Sequence, residues 1–588
     1  TFGNRTLTFR EMLAHGLNLS IYDFETVYRT ILSIPTKTVL LFDGLDDLDV
    51  DSEVLRGNSE SFSRSDKMPV FSIFKMLVEG RLLPGVTVLT TSRPTADNVF
   101  QLLSFERTVE ILGFSEEQIQ KYVFKFCERD IVNAELIWSH IKDSAELLSL
   151  CYIPLGSYIV CLTLKESIEN YESNGIPKTV TELYKRAIKV LLFRHHPIYK
   201  LKPRLNDYLI DRFPKELVND FSKLKEVAKC GLEKGRFIFE RTTRDEFGGL
   251  ANCGLFHKLP DKRRHYFCFL HLTLQEFLAA SKVVDDMDNV EEFLATHIND
   301  PKWHLVIQFV FGLVGDKIRD AKGELLKKWQ RIYVEVQKRL KDWIFSLGNI
   351  AATYEKNIAL LAIKCLYELQ DSETMKSICS SFLAGGNGEL CLKELNITPV
   401  DSAALFEFLG NSKNLKRLIF DDCRIQGNYS YNKMNKSLLC NPTNCITFLK
   451  LAGNFTSGGV EYLSDALKSE NCKLTSLDLG YNEMTDQGAK YLSEALKSEN
   501  CKLTSLDLSF NTTTDQGAEY LGDALKSENC KLTSLDLGNS EITDEGAKYL
   551  SKALKSGDCK LTSLDLGHSG ITDQGAEYLS DALKSGNC

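Results

Sequence analysis

The last third of the chain repeats itself: the string LTSLDL starts at Leu474, Leu503, Leu532 and Leu561, a period of 29 residues kept three times. A unit that short cannot bury its own apolar side chains, so the copies must stack into a solenoid. The first part of each unit, L-x-x-L-x-L, alternates inward and outward positions as a strand does. The second part reads as a helix, because Ala489, Leu492, Ala495 and Leu496 recur at three- and four-residue spacing and form one apolar stripe. Gly488, Gly517, Gly546 and Gly575 repeat near the helix start, where a small side chain permits close packing. More degenerate units precede the array at Ile446 (ITFLKL), Leu415 (LKRLIF) and Leu392 (LKELNI), which puts the start of the solenoid near Leu390.

Units of 28 to 29 residues with one strand and one helix resemble the ribonuclease-inhibitor class of leucine-rich repeat. With the leucines pointing inward, Ser476 and Asp478 and their copies face the concave side. Asp478, Asp507, Asp536 and Asp565 then stack in a ladder of like charges, which serves no packing purpose. Just beyond the strand, Tyr481, Phe510, Asn539 and His568 share one position and differ in every copy. A changing side chain beside a fixed acidic stripe points to a ligand surface for a basic or amphipathic partner; duplication of one solvated residue is the other explanation. The array stops at Cys588, the next copy of the position of Cys472, Cys501, Cys530 and Cys559, so the expectation is a solenoid incomplete at its C-terminus.

At 588 residues the chain exceeds what one core can organise, and several domains are expected. Its 43% hydrophobic and 26% charged residues fit folded soluble material. A net charge of −9 argues against sequence-independent nucleic-acid binding, which needs a basic field to displace counterions, so no nucleic-acid partner is expected. The 17 cysteines are scattered, and neither they nor His195-His196 show paired metal-ligand spacing, so reduced thiols and no zinc site are expected. The most apolar run, Leu305 to Val314, falls far short of the roughly 20 residues that span a bilayer and reads as a buried helix, leaving no transmembrane segment. From Ala321 to Phe345 an amphipathic helix carries a basic field. Glu324 and Glu335 interrupt it, so it reads as a solvated face rather than a docking surface for a membrane or partner.

Upstream, Thr38 to Leu48 (TVLLFDGLDDL) opens with a run that has neither charge nor alternation, as in a parallel strand buried on both faces, and ends in acids. A strand ending this way supplies the carboxylate that holds a magnesium ion, directly or through water, with further carboxylates to orient an attacking water. Asp43 takes the first role; Asp46 and Asp47 are candidates for the second. A second apolar strand, Gly85 to Pro94 (GVTVLTTSRP), ends in Thr91, Ser92 and Arg93, and an arginine at a strand's C-terminal end is placed to sense a terminal phosphate.

LLFDGLDDL, then TTSRP, then ILGFSEEQIQKYVFKF from Ile111 resemble the NACHT module of NOD-like receptors, a branch of the STAND class of P-loop switches. Ser115 with Gln118 forms a capping box at the start of that last helix. The resemblance implies an adenine-packing proline, matched by Pro154 in LCYIPL. It also implies a winged-helix histidine that reaches the β-phosphate of ADP, matched by His271 in FLHLTLQEF. It divides the chain into the C-terminal part of a nucleotide-binding α/β domain (1–108), a first helical domain (109–176), a winged-helix domain (177–285), a second helical domain (286–385) and the leucine-rich-repeat solenoid (386–588).

The function implied is a cytoplasmic signalling switch and ligand sensor, bound to ATP or ADP with Mg. In innate immunity it would take a protein or a microbial or danger ligand on the solenoid, exchange nucleotide and self-oligomerise. Two departures bear on this. Asp47 stands where most members carry Glu, which leaves at most slow ATP hydrolysis. No G-x-x-x-x-G-K-[ST] phosphate cradle occurs, and the chain contains no Gly-Lys pair, so the expectation is a piece lacking that upstream segment and inactive by itself. The alternative is a leucine-rich-repeat binding scaffold carrying a degenerate switch.

Overall fold

The computed structural model describes residues 6–16, 20–45, 64–92, 103–109, 111, 113–128, 130–169, 177–195, 215–240, 255–258, 266–345, 353–382, 388–453 and 457–585. They fall into two units: residues 1–112 with 231–237, and the remainder of the chain.

The first unit contains β1 (Thr6–Leu7), α1 (Phe9–Gly16), α2 (Ile21–Ser33), β2 (Val39–Phe42), β3 (Met68–Pro69), α3 (Val70–Val78) and β4 (Thr87–Thr90). Local chemistry starts its elements: Ser20 caps α2 by accepting the Asp23 amide. β2 and β4 pair in parallel, Val39 opposite Thr87 and Phe42 opposite Thr90. The core lies on one face of this pair, where Leu40 packs with Phe9, Met12, Ile73 and Leu77 from the helices. On the other face Val39, Leu41 and Leu89 are exposed. The expectation of a strand buried on both faces is corrected here: successive residues of a strand point to opposite sides, and the described helices cover only one.

The second unit begins with α4 (Glu116–Cys127), α5 (Ile131–Asp143), α6 (Ala145–Cys151), α7 (Pro154–Glu169), α8 (Val180–His195) and α9 (Lys215–Glu233). The expected capping box is present, Gln118 N donating to Ser115 Oγ at 3.3 Å and Ser115 N to Gln118 Oε1 at 2.8 Å. β5 (Ile238–Glu240), β6 (Phe256–Lys258) and β7 (Tyr266–Phe269) form an antiparallel sheet in the order β5-β7-β6, followed by α10 (Leu272–Asp285). Then come α11 (Val290–His297), α12 (His304–Asp320), α13 (Gly323–Phe345), α14 (Thr353–Leu369) and α15 (Ser372–Phe382). The apolar run at 305–314 lies in α12 and is mostly buried. No helix among the described residues is long and apolar enough to cross a membrane.

One buried acid ties this helical stretch together. Glu368 on α14 accepts hydrogen bonds from Val180 N (3.1 Å) and Thr181 N (3.0 Å) at the start of α8, and from Gln308 Nε2 (3.0 Å) on α12. Burial pushes its carboxyl above the ordinary glutamate value, against the pull of these donors.

The solenoid is one parallel sheet of seven strands, β8 (Glu389–Lys393), β10 (Arg417–Asp421), β12 (Phe448–Leu451), β13 (Ser476–Asp478), β14 (Ser505–Asp507), β15 (Ser534–Asp536) and β16 (Ser563–Asp565); β9 (Asn396–Ile397) and β11 (Arg424–Ile425) pair separately. Four of its helices are α19 (Asp486–Leu496), α20 (Asp515–Leu525), α21 (Asp544–Leu554) and α22 (Asp573–Leu583), after α16 (Pro399–Gly410), α17 (Asn428–Lys433) and α18 (Ser457–Leu467). The first unit is corrected in register: its strand starts at Glu389, three residues before the string read at Leu392. Leu390 and Leu392 fill the buried positions that Leu418 and Phe420 fill in the next repeat.

Neighbouring repeats are stapled by side chains. Asp486 Oδ1 accepts Thr514 N (2.8 Å) and Gly517 N (3.0 Å) of the next repeat, and Asp515 and Asp544 do the same one and two repeats on. This explains the repeated glycine, since a Cβ on Gly517 would stand 2.6 Å from Asp486 Oδ1 and 2.4 Å from Thr513 Cγ2.

Candidate functional site

Parallel pairing of β2 and β4 brings the residues after each strand to one edge of the sheet, the edge at which open α/β sheets bind ligands. There Thr91 Oγ1 donates to Asp43 Oδ1 and accepts Gly44 N at 3.2 Å, while Leu45 N reaches Thr91 O at 2.9 Å. Gly44, at φ 82°, turns the chain away from the edge in a conformation that glycine adopts without steric cost. Asp43 is exposed, and Ser92 follows Thr91 directly. Asp43 and Ser92 are therefore brought to one edge, with Thr91 orienting the carboxylate. The sequence shows Thr91 among the polar residues that end the run but gives it no role; its bond to Asp43 comes from the pairing of the two strands. Asp46, Asp47 and Arg93 lie outside the described residues.

Among the described residues one exposed carboxylate, Asp43, stands at this edge, and such a group suits a hydrated magnesium ion, which keeps several waters and takes one or two protein oxygens. The residues present fit that part of an Mg–nucleotide complex. The phosphate-cradling Gly-Lys pair is absent from the sequence.

Pro154 and His271 belong to the second unit and each begins a helix. Pro154 is the first residue of α7, where its fixed φ suits helix entry and its missing N–H costs nothing. His271 is the N-cap of α10: its Nδ1 accepts Thr273 N at 3.2 Å and lies 2.9 Å from Thr273 Oγ1. Tyr184 OH donates to that same Thr273 oxygen at 2.8 Å, so the threonine proton is directed to the ring. With Nδ1 accepting, a neutral His271 carries its proton on Nε2, the tautomer that can donate to an anion.

In the solenoid Asp478, Asp507, Asp536 and Asp565 stand opposite one another in register across four strands. Each Oδ1 accepts a backbone amide of its own turn, from Gly480, Ser509, Gly538 and Gly567. The second oxygens differ. Lys450 holds Asp478 Oδ2 at 2.8 Å, and Lys393 likewise holds Asp421, whereas Asp507, Asp536 and Asp565 meet no cation among the described residues. Burial pushes the Asp536 carboxyl up; the Gly538 amide pulls it back, and its three neighbouring aspartates push it further.

Beside the row, Tyr481 and Phe510 stack at 4.1 Å between centroids while 60% and 42% exposed. Tyr481, Phe510, Asn539 and His568 all have φ between 54° and 58°, and Glu394 and Asp422 have 54° and 52°, in the left-handed region that side chains other than glycine rarely adopt. The sequence showed that this position varies; its backbone strain left no trace there.

Residues 3–130 match the NACHT domain model, and 470–493, 499–522, 528–551 and 557–580 match a leucine-rich-repeat model. The human NACHT, LRR and PYD domains-containing protein 12 is 24% identical over 490 residues, covering 76% of this chain and 44% of that protein. The bovine NACHT, LRR and PYD domains-containing protein 3 is 27% identical over 517 residues, covering 76% of this chain and 47% of that one. The chain thus spans less than half the length of these curated relatives. A solved internalin from Listeria monocytogenes aligns over 30% of this chain and 48% of its own, at 18% identity and a TM-score of 0.19, too slight a likeness to bear on the argument. A NACHT match ahead of an array of leucine-rich repeats, shared with relatives named for both modules, makes this chain a NACHT and leucine-rich-repeat protein of the NOD-like receptor type.

Proposed function

We propose that the chain works as a cytoplasmic signalling switch and sensor of the NOD-like receptor type in innate immunity. ATP and ADP, with Mg, control it; the strand-lined face of the solenoid takes the ligand, and nucleotide exchange releases the molecule for self-association. The observation that carries this reading is Asp43, held by Thr91 at the edge of two parallel strands inside the NACHT match. As the family resemblance implies, Asp43 would hold the magnesium ion, Ser92 and Arg93 would serve the terminal phosphate, Pro154 the adenine, and His271 the ADP phosphate. Asp46 and Asp47 orient water for at most slow hydrolysis.

A second reading, a binding scaffold with a degenerate switch, draws on the local work that Pro154 and His271 already do as helix starters. The test is to extend the reading frame upstream, look for G-x-x-x-x-G-K-[ST], and titrate nucleotide calorimetrically with that segment in place. Asp43→Ala is then expected to weaken Mg-dependent ATP binding about tenfold or more, and His271→Ala to weaken ADP by a similar factor. Absence of the cradle, or affinities unmoved by both substitutions, overturns the switch in favour of the scaffold.

A further inference from the structure

The exposed side of α13 carries a basic stripe. The helix buries Trp329, Val336, Leu340 and Ile344. At 100° per residue, Lys327, Arg331, Val334, Lys338, Lys341 and Phe345 fall within about 80° of arc on the opposite side. All six are exposed, Val334 at 59% and Phe345 at 39%. The acids Glu324, Glu335 and Asp342 lie along one flank, and only Glu324 is paired on the helix, with Lys327 at 3.6 Å. Lys328 and Arg339, off the stripe, are committed to Asp288 and Glu291. Arg331, Lys338 and Lys341 meet no acid among the described residues. The middle of the face is therefore basic and meets no acid among the described residues, while Phe345 at its end packs edge-on against Phe382 at 5.9 Å and lies beneath Lys341 Nζ at 5.6 Å.

A surface of matching charge and spacing occurs on the same chain. The strand-lined face is charge-paired as far as Asp478 and purely acidic from Asp507 to Asp565, with the exposed Tyr481–Phe510 pair at the changeover. Arg331 and Lys338 are seven residues apart, about 10.5 Å along a helix axis. Asp507 and Asp565 are two strand steps apart, about 9.6 Å. We propose that α13 of one copy docks along the acidic row of a second copy, its axis across the strands. Lys338 faces Asp507 and Arg331 faces Asp565. That direction carries Lys341 about 4.5 Å, one strand step, past Asp507 to the Tyr481–Phe510 rings, where a cation finds a partner. The contact joins different surfaces on the two copies, so it propagates head to tail into a ring or filament. It rests on the self-association proposed above and supplies its contact.

Sedimentation velocity of the whole chain over a range of concentration and salt tests this. The wild type is expected to self-associate, less so as salt rises. Arg331→Gln with Lys338→Gln, and separately Asp507→Asn with Asp565→Asn, should each weaken association about tenfold or more. Mixing the two double variants leaves one intact helix face and one intact acidic row, and should give a one-to-one heterodimer that grows no further. All four positions are at least partly exposed, and circular dichroism checks that the variants fold. Wild-type association untouched by either pair overturns this contact and leaves oligomerisation standing; a wild type that stays monomeric with and without nucleotide, both as this chain and with the upstream segment in place, overturns both. Variants that fail to form the heterodimer also sink the contact. So does binding to phosphatidylserine vesicles that is lost in the helix variant while association persists, which would assign the stripe to a bilayer.

Discussion

In the first unit one carboxylate, Asp43, stands at the end of one strand and is held by one hydroxyl, that of Thr91. In the solenoid the carboxylates that join repeats come as copies: Asp486, Asp515 and Asp544 each accept the same two amides from the next repeat. The helical stretch between them sides with the first unit, since Glu368 and its three donors occur once. Where a contact is singular, its loss leaves buried groups with no substitute. Where it is copied, neighbouring repeats keep theirs, and the loss stays local.

The largest effect should therefore fall on a singular group. Glu368→Ala strands two backbone amides and the Gln308 amide in the interior, and should cost about 3–5 kcal/mol in denaturant unfolding of the second unit. Glu368→Gln should cost less, and its pH dependence sharpens the point. Because burial raises the folded-state pKa of Glu368 above 4.5, its contribution is fully present below that value and lost as pH rises through the raised one. The glutamine variant should lack that fall; an unchanged slope would mean that Glu368 is not its source.

A copied contact should give a smaller loss. Gly517→Ala drives a methyl group against Asp486 Oδ1 and Thr513 Cγ2 and should cost about 1–3 kcal/mol, with hydrogen exchange accelerated in the two adjoining repeats only. Exchange accelerated throughout the array would break the contrast.

The smallest change is expected at Phe510→Gly. Relief of a left-handed backbone gains about 1 kcal/mol and loss of the Tyr481 stack gives back about as much, so the melting temperature should hardly move. A loss above about 2 kcal/mol would show that the ring does structural work.

The same contrast governs what could be read from the sequence. The solenoid was legible because each unit restates its neighbour, so that strand, helix and acidic row all follow from one period; only the degenerate first unit, with no exact copy beside it, was read in the wrong register. The acids after β2 and the hydroxyls after β4 were legible as strand ends, yet the bond between Asp43 and Thr91 spans 48 positions and no local pattern encodes it. Glu368 lies in an ordinary helical stretch, and its partners at Val180 and Thr181 are 188 and 187 positions away. The exposure of Val39 and Leu41 was missed for a related reason, because an unbroken apolar run does not reveal how many of its faces are covered.

The in-register Ser-Leu-Asp rows have a consequence for recognition. Four identical rungs form a lattice with translational symmetry, so a partner reading only serine and aspartate could slide by one repeat, about 4.8 Å, and make nearly the same contacts. Such a surface binds but does not index. The symmetry is broken just beyond the strands, most fully where Tyr481, Phe510, Asn539 and His568 present four different side chains from the same left-handed backbone. On the proposed ligand surface these four would act as the marks on a ruler: the aspartates would set how strongly a cation-bearing chain is held, and the variable position where along the array it stops.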